Sequence, residues 1–474
     1  MKNEKFQFKY INFGLIALGI IFRIYVYFQN RSFTIDEANL GLSIINGSGL
    51  DFFRNLEQQI APPLFLHIQK FLIILLGIYE MSFRLFPLIC GIIALLLFYK
   101  LCKNWLKERY IILPMALFTF SELFIRYGTE NKAYSSDLFV SLFLLYGALH
   151  FPLKNNWKSQ ISWMTIGMLS IWLSMPSIFL LFGIGLYFLR LAYKDGQYHF
   201  ILANILIPLF WAINFTFYYV GLLSKDIWTE DLQEYHMDYF LDWTNPKKLL
   251  RAFQIFLDTI IGHTAIAIAF RAITIPTGLY FLWKKSRWHF ALIISPIFLC
   301  LFLASFNMYS LIPRLTIFLI PLVLIIIGIG FEKLMKLAPK SLQFILLAIA
   351  SIVVINHSAF RYLNEKLEPD IIKPSIKYLK ETINPDDQVY LFHKAIPAYK
   401  FYSSHHINNN NFTFSNVQLG DWNDQPSDII KSKTGNTYVI GLHLEASDLK
   451  YLRGLFGNLK EVKKVRSESI FMVE

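Results

Sequence analysis

The chain has 474 residues, 55% of them hydrophobic and only 16% charged, with mean hydropathy +0.43 and a formal net charge of +12. A soluble chain averages about 25% charged residues, so this one lacks the polar surface of a water-facing body, which excludes a disordered chain, a disulfide scaffold and a simple cytosolic enzyme. The basic excess admits a nucleic acid, a membrane surface or an acidic substrate as partner, and its position along the chain has to decide.

Apolar runs of bilayer length, about 17–25 residues each, fall near 11–28, 82–102, 110–126, 133–151, 160–175, 176–193, 199–223, 264–283, 289–306, 311–331 and 341–359. These eleven runs predict a polytopic helical bundle. A twelfth run, 64–78, is short and carries His67 and Lys70. Charge placement tests it. Basic residues gather in six segments, Lys2–Lys9, Lys100–Arg109, Lys154–Lys158, Arg190–Asp195, Lys284–Arg287 and Glu332–Lys340, which hold 17 basic residues against four acidic ones. With eleven spans all six face the cytoplasm, as the positive-inside rule requires. Counting 64–78 as a span throws every cluster after the first to the outside. That run therefore reads as an interfacial or re-entrant helix on the outer face.

The expected architecture is mainly α, with about eleven transmembrane helices over residues 1–360, outer loops 29–81 and 224–263, and a small extracytoplasmic α/β domain over 361–474. Loop 224–263 carries seven acids against four bases, and Pro246–Ile261 repeats apolar residues at helical spacing, as a helix on the membrane surface does. From Arg361 onward there are 15 basic and 14 acidic residues, so +11 of the +12 belongs to the membrane part. The excess is topological. That removes nucleic acid as a partner and leaves the lipid bilayer. In the tail, Gln388–Phe392 and Tyr438–Leu442 read as buried strands, Pro374–Thr382 and Ser447–Leu455 as helices, and Val462–Val465 with Ser469–Val473 as closing strands. His405–Asn411 reads as a solvated loop. Cys90, Cys102 and Cys300 lie in or beside apolar runs without ligand spacing and read as packed thiols. The expected placement is a bacterial inner membrane, N-terminus cytoplasmic and C-terminal domain outside.

Asp36-Glu37 follows the first span by about eight residues, close to the outer surface. Adjacent carboxylates there suit a general base, and equally suit the first turn of a helix capped by Thr34. Arg23 lies inside the first span, where a charge either snorkels to the interface or faces a cavity or partner. Arg126, Glu130, Lys132 and Tyr134 crowd the next outer turn, and Arg314 follows Pro313 at the outer start of a later span. Three cations at one membrane face can clamp a phosphate. His67, His236, His263, His405 and His406 show no metal-ligand spacing on one element, and no Walker A, GxGxxG or GxSxG motif occurs.

These residues carry a family resemblance. Arg23-Ile-Tyr with Ile35-Asp36-Glu37-Ala38, Ala61-Pro62-Pro63-Leu64-Phe65 with Gly77 and Arg84-Leu85-Phe86-Pro87, Thr129-Glu130-Asn131-Lys132-Ala133-Tyr134, and Ile312-Pro313-Arg314 with Pro321 run in order through residues 1–335. The order resembles GT-C-fold membrane glycosyltransferases, the group that holds protein O-mannosyltransferases and lipid A aminoarabinose transferase. Relatives often carry a charged residue or His just before Pro-Pro. This chain has Ile60-Ala61 there, with Glu57 and Gln59 nearest.

The resemblance implies transfer of a sugar from a polyprenyl-phosphate donor to an acceptor hydroxyl of a protein, glycolipid or glycan, with inversion, on the outer face. Asp36 would be the general base, with Glu37 orienting it or binding acceptor or metal. Arg23, Arg126, Lys132, Tyr134 and Arg314 would hold the donor phosphate and lipid. A divalent metal ion is a further expectation, with Glu57, His67, His236 and His263 as ligand candidates. A transporter or flippase of lipid-linked sugars, or a non-catalytic membrane partner, is the alternative.

Overall fold

The computed structural model describes residues 2–53, 60–196, 198–223, 230–357, 372–404, 413–429, 435–465 and 468–474. Helix α1 (Lys2–Phe28) leads to α2 (Ile35–Asn46) and α3 (Pro63–Leu76), and then to α4 (Glu80–Cys102). Next come α5 (Glu108–Phe120), α6 (Glu122–Tyr127), α7 (Tyr134–His150), α8 (Trp157–Leu173), α9 (Ser177–Asp195) and α10 (Tyr198–Tyr218). Short α11 (Glu230–His236) and amphipathic α12 (Pro246–Ile261) precede α13 (Ala265–Lys285), α14 (Arg287–Ala304), α15 (Ile320–Leu337) and α16 (Lys340–His357). Among the described residues, six helices have the length and apolarity to cross a bilayer: those around Gln7–Phe28, Glu80–Cys102, Ser177–Lys194, Phe200–Leu222, Ala265–Lys285 and Arg287–Ala304.

The other five expected spans also fall on helices, which are shorter or more charged, so the count of eleven rests on the charge pattern. Two differ in detail from expectation. Ser121 breaks the third span into α5 and α6. The tenth begins at Ile320 rather than 311, because residues 305–319 form turns. Arg314 therefore sits on a loop and not on a helix. The 64–78 run is helix α3, with Phe71, Ile74, Leu75 and Leu76 exposed along one side. Its Lys70 Nζ donates to the carbonyls of Ile44 and Ile45 at 3.1 and 2.7 Å, satisfying the C-terminal end of α2.

The basic turns meet at one end of the bundle. Asn12 Nδ2 donates to the Glu108 carbonyl and carboxylate, both at 3.0 Å, Lys107 N to Glu332 Oε2 at 3.4 Å, and Lys285 Nζ to the Asn104 carbonyl at 3.5 Å. Close packing between α13 and α15 depends on two glycines. A Cβ at Gly278 would run into the Ile326 carbonyl, and one at Gly330 into that of Thr274, as expected where helices associate through small residues.

At the opposite end sits the C-terminal sheet, in strand order β2-β1-β3-β5-β4. Strand β1 (Gln388–Leu391) pairs in parallel with β2 (Val417–Leu419) and β3 (Thr437–Leu442), and β5 (Glu468–Val473) runs antiparallel to β3 and to β4 (Leu459–Val465). Helices α17 (Lys373–Thr382), α18 (Ile396–Ser404) and α19 (Ala446–Phe456) complete the tail. Strand β2 and helix α18 were not legible beforehand, and His405–Asn411 lies outside the described residues. The tail and residues 33–83 share one apolar cluster that joins Phe33, Leu40, Phe65 and Phe83 to Ile376, Leu391 and Phe401. Tyr402 Oη accepts from Phe33 N at 2.7 Å, and Lys373 pairs with Glu80. Ser48 and Ser447 are exposed on this side. Cysteine placed at either should react with a membrane-impermeant maleimide added outside intact cells; labelling of one from the cytoplasm alone would overturn the charge-based orientation.

Candidate active site

Thr34 starts α2 with a capping box. Its Oγ1 accepts from Glu37 N and its N donates to Glu37 Oε2, both at 3.2 Å. The Glu37 side chain then does more than cap. It is 1% exposed, and Arg84 of α4 grips it with Nε and Nη2, each at 2.8 Å, in the two-pronged geometry that suits a carboxylate. Asn131 N adds a third segment at 2.8 Å to Oε1. Arg84 also donates to the carbonyls of Arg31 and Ser32, and Arg31 donates to the Thr129 carbonyl and hydroxyl at 2.9 Å. One carboxylate thus ties together residues 31–37, α4 and the 129–131 turn. Burial pushes the Glu37 carboxyl up, but Arg84, Arg31 and the Asn131 amide outweigh it and hold the group below the usual carboxylate range.

Asp36 is the opposite case. Its side chain is 49% exposed and faces two cations, Lys132 Nζ at 4.0 Å and Arg314 Nη1 at 3.9 Å. One carboxylate against two cations leaves a local positive excess. Both separations exceed a direct hydrogen bond, so the cations surround the carboxylate without closing on it. Lys132 is buried. Burial lowers its pKa and Arg314 adds to this, against Asp36, Glu130 and Glu37, which raise it. Arg314 Nη2 donates to Tyr235 Oη at 3.2 Å, and its guanidinium lies 5.6 Å from that ring. Tyr134, at the start of α7, packs edge-on against Tyr127 at 4.8 Å and lies in electrostatic range of Arg314 and Asp36. His236 borders the same group. Burial and Arg314 push its pKa down to about 4, so it is neutral beside the cation at pH 7.

The structure therefore brings Asp36, Lys132, Tyr134 and Arg314 together and sets Glu37 just behind them. Arg126 stands one layer away, paired with Glu130 at 2.7 Å and 5.6 Å from the Tyr127 ring. Arg23 is elsewhere. It is fully buried in α1, donates Nη1 to the Gly19 carbonyl at 2.9 Å, and leaves Nε and Nη2 without a hydrogen-bond partner among the described residues. Sequence reasoning missed the central part of Arg84, visible only as one letter of a motif, and missed Tyr235 altogether. Glu37 touches no open space: its two oxygens are taken by Arg84, Asn131 and Thr34.

The metal candidates do not converge. His67 Nδ1 lies 2.7 Å from the Pro63 carbonyl between Phe52 and Phe53, His263 is exposed in the turn after α12, and Glu57 lies outside the described residues. Among the described residues no three His, Cys, Asp or Glu side chains gather as a ligand set, and Asp36 already faces two cations. The described residues do not fit a metal here.

No protein-family model matches the chain, and no curated protein sequence matches it. Solved structures do. ArnT from Cupriavidus metallidurans in the apo state superposes with TM-score 0.54 at 11% identity, covering 97% of this chain and 98% of that one. The same protein bound to undecaprenyl phosphate gives 0.53 at 12% identity with the same coverage. An oligosaccharyltransferase from Archaeoglobus fulgidus, solved with Zn and sulfate, gives 0.47 at 11% identity over 94% of this chain and 71% of that one. The motif order pointed to a GT-C fold, and ArnT, a lipid A aminoarabinose transferase of that fold, shares the architecture of this chain over nearly its whole length.

Proposed function

We propose that this multi-pass membrane protein is a glycosyltransferase that moves a sugar from a polyprenyl-phosphate donor to an acceptor hydroxyl at the outer end of the bundle. The observation that carries the reading is the half-exposed Asp36 carboxylate between Lys132 and Arg314. The donor phosphate enters beside the two cations. As the acceptor oxygen attacks the anomeric carbon from the opposite face, Asp36 takes its proton. The bond from the anomeric carbon to the phosphate oxygen breaks, polyprenyl phosphate leaves with the electron pair, and the centre inverts. Lys132 and Arg314 meet the charge that develops on the leaving phosphate, and the loss of one such contact typically costs about 10²–10³ in rate. Glu37 and Arg84 position Asp36 and the 129–132 turn. ArnT bound to undecaprenyl phosphate supports this donor class.

The direct test incubates the purified chain with glycosylated polyprenyl phosphates and follows release of polyprenyl phosphate, with mass analysis of glycolipids and glycoproteins from cells with and without the chain to find the acceptor. Absence of any chain-dependent glycoconjugate would refute the reading. Lys132 adds a pH signature. A lysine is charged below its pKa and neutral above it, and a lowered pKa brings that loss closer to neutrality. A phosphate monoester has its second pKa near 6 and stays doubly charged at higher pH. Affinity for undecaprenyl phosphate should therefore fall by about tenfold as pH rises through the Lys132 pKa. Lys132→Arg, charged throughout, should flatten the profile. An unchanged slope in that variant would remove Lys132 from the phosphate site.

A further inference from the structure

Helix α2, which carries Asp36, is held at its N-terminal end by the C-terminal domain. Phe33, the residue before the Thr34 cap, is fully buried. Its N donates to Tyr402 Oη of α18 at 2.7 Å, and the same hydroxyl donates to Glu80 Oε1 at 3.1 Å. Tyr402 and Glu80 are both buried, and Lys373 of α17 pairs with the Glu80 carboxylate. One buried hydroxyl thus uses its acceptor and its donor to join residue 33, the start of α4 and the tail. The ring of Phe401, the neighbour of Tyr402, packs 4.6 Å from that of Phe33 and 6.0 Å from that of Phe83. A Cβ at Gly41 would stand 3.1 Å from Phe401, so α18 lies directly against the body of α2 as well.

This mounting bears on the transfer step. Thr34, Ile35, Asp36 and Glu37 form the cap and first turn of α2. Glu37 is gripped by Arg84 and Asn131, whereas the cations facing Asp36 stand off at 3.9 and 4.0 Å. The position of the Asp36 carboxylate therefore depends on where its own turn is held. Two anchors hold that turn, Tyr402 on Phe33 and Arg84 on Glu37, and they lie on either side of Asp36 in the chain. Lys132 and Arg314 sit on other segments, the 128–133 turn and the 305–319 loop. A general base has to reach within about 2.6–3.2 Å of the proton donor, and a misplacement of about 1 Å caused far from the chemistry can cost about 10²-fold in rate.

We propose that Tyr402 is a positioning residue for the general base: through it the C-terminal domain holds the first turn of α2 and sets Asp36 for proton transfer. The inference rests on the transfer reaction and the Asp36 role proposed above. Loss of the Tyr402 hydroxyl leaves the buried Phe33 amide and the buried Glu80 carboxylate each short of a partner, and the turn shifts to recover them. Proton transfer slows while the phosphate clamp of Lys132 and Arg314 stays in place. A fall in turnover with donor binding kept separates this role from that of a clamp residue.

The test measures turnover of a glycosylated undecaprenyl phosphate and binding of undecaprenyl phosphate by the full chain in lipid nanodiscs, well below the unfolding temperature of each variant. Tyr402→Phe, which keeps the ring, should lower kcat about tenfold or more and leave undecaprenyl phosphate affinity within about twofold. Phe401→Leu, which loosens the packing on Phe33 and Gly41, should lower kcat severalfold with the same retained binding, and it stands in if Tyr402→Phe does not fold. Val439→Ala is the control for stability alone. Val439 is buried in β3 within a cluster separate from the one that includes α2, so its truncation should lower the unfolding temperature and leave kcat within about twofold. Full kcat in Tyr402→Phe (or in Phe401→Leu where the first does not fold), an equal fall of kcat in Val439→Ala, or a parallel loss of undecaprenyl phosphate binding would overturn the positioning role. Absence of transfer by the unaltered chain, or full transfer in Asp36→Asn, would instead overturn the reading beneath it.

Discussion

Asp36→Asn is expected to leave a folded, membrane-inserted protein that transfers no measurable sugar. Asn keeps the size and shape of the side chain and removes its ability to take a proton. General-base catalysis contributes about 10²–10⁴ in rate. The substitution should not unfold the 29–81 segment, because the side chain is 49% exposed and its cations stand at 3.9 and 4.0 Å rather than in a closed salt bridge. A second effect goes the other way. Removing the carboxylate frees Lys132 and Arg314 from a competing charge, so undecaprenyl phosphate should bind at least as tightly as before. A fall in turnover without a loss of donor affinity is the signature of a base. Transfer retained in Asp36→Asn would sink the assignment, and a parallel loss of donor binding would recast Asp36 as a binding group.

Glu37→Gln should produce the largest loss of stability among substitutions at the site. Breaking one partner of a buried ion pair typically costs about 3–5 kcal/mol, because the remaining charge is left uncompensated. Here that charge is Arg84, 2% exposed. Thermal unfolding in detergent should show a clear drop. Replacing Arg84 as well, as in Glu37→Gln with Arg84→Met, should cost less than the two single effects added together, since the orphaned charge is gone. The pH dependence follows the same pair. The Glu37 pKa is held below its usual 4.5, with burial opposing and Arg84 prevailing. Its contribution to stability is full above about 4.5 and is lost as pH falls through the lowered value. A wild-type acid transition that Glu37→Gln leaves in place would show that other carboxylates govern it.

Neighbouring carboxylates thus receive opposite environments. In the sequence they are one dipeptide, equally suited to capping a helix or to catalysis. Glu37 completes the capping box and takes Arg84, whereas Asp36 faces solvent and cations, because consecutive residues of a helix point about 100° apart. Arg84 lies 47 residues from Glu37 in the chain, and no local pattern reports a pairing of that range. Lys132 and Arg314 were legible as cations of loops at one end of the bundle, since charge asymmetry and span counting sort the loops into two sets. Their approach to a single carboxylate was not, since it depends on how α2, the 128–133 turn and the 305–319 loop pack. Arg23 shows the limit from the other side: it shares a motif with Asp36 and yet is buried in α1, away from the group.

The tail repeats the lesson. Its longer strands and two of its helices were readable from hydrophobic runs. Strand β2, three residues long and only half buried, was not, because so short a segment carries too little periodicity and takes its identity from pairing with β1. What the sequence by itself determined was the class of molecule, the positions of most helices and the side on which the basic turns gather. These follow from composition and periodicity, which bilayer thickness and charge asymmetry translate directly into topology. Only the tertiary structure decided which carboxylate is sequestered and which is open, and which distant cations meet it. Those outcomes depend on distances of a few ångströms between elements far apart in the chain, over which hydrogen bonds and desolvated charges change sign in their effect.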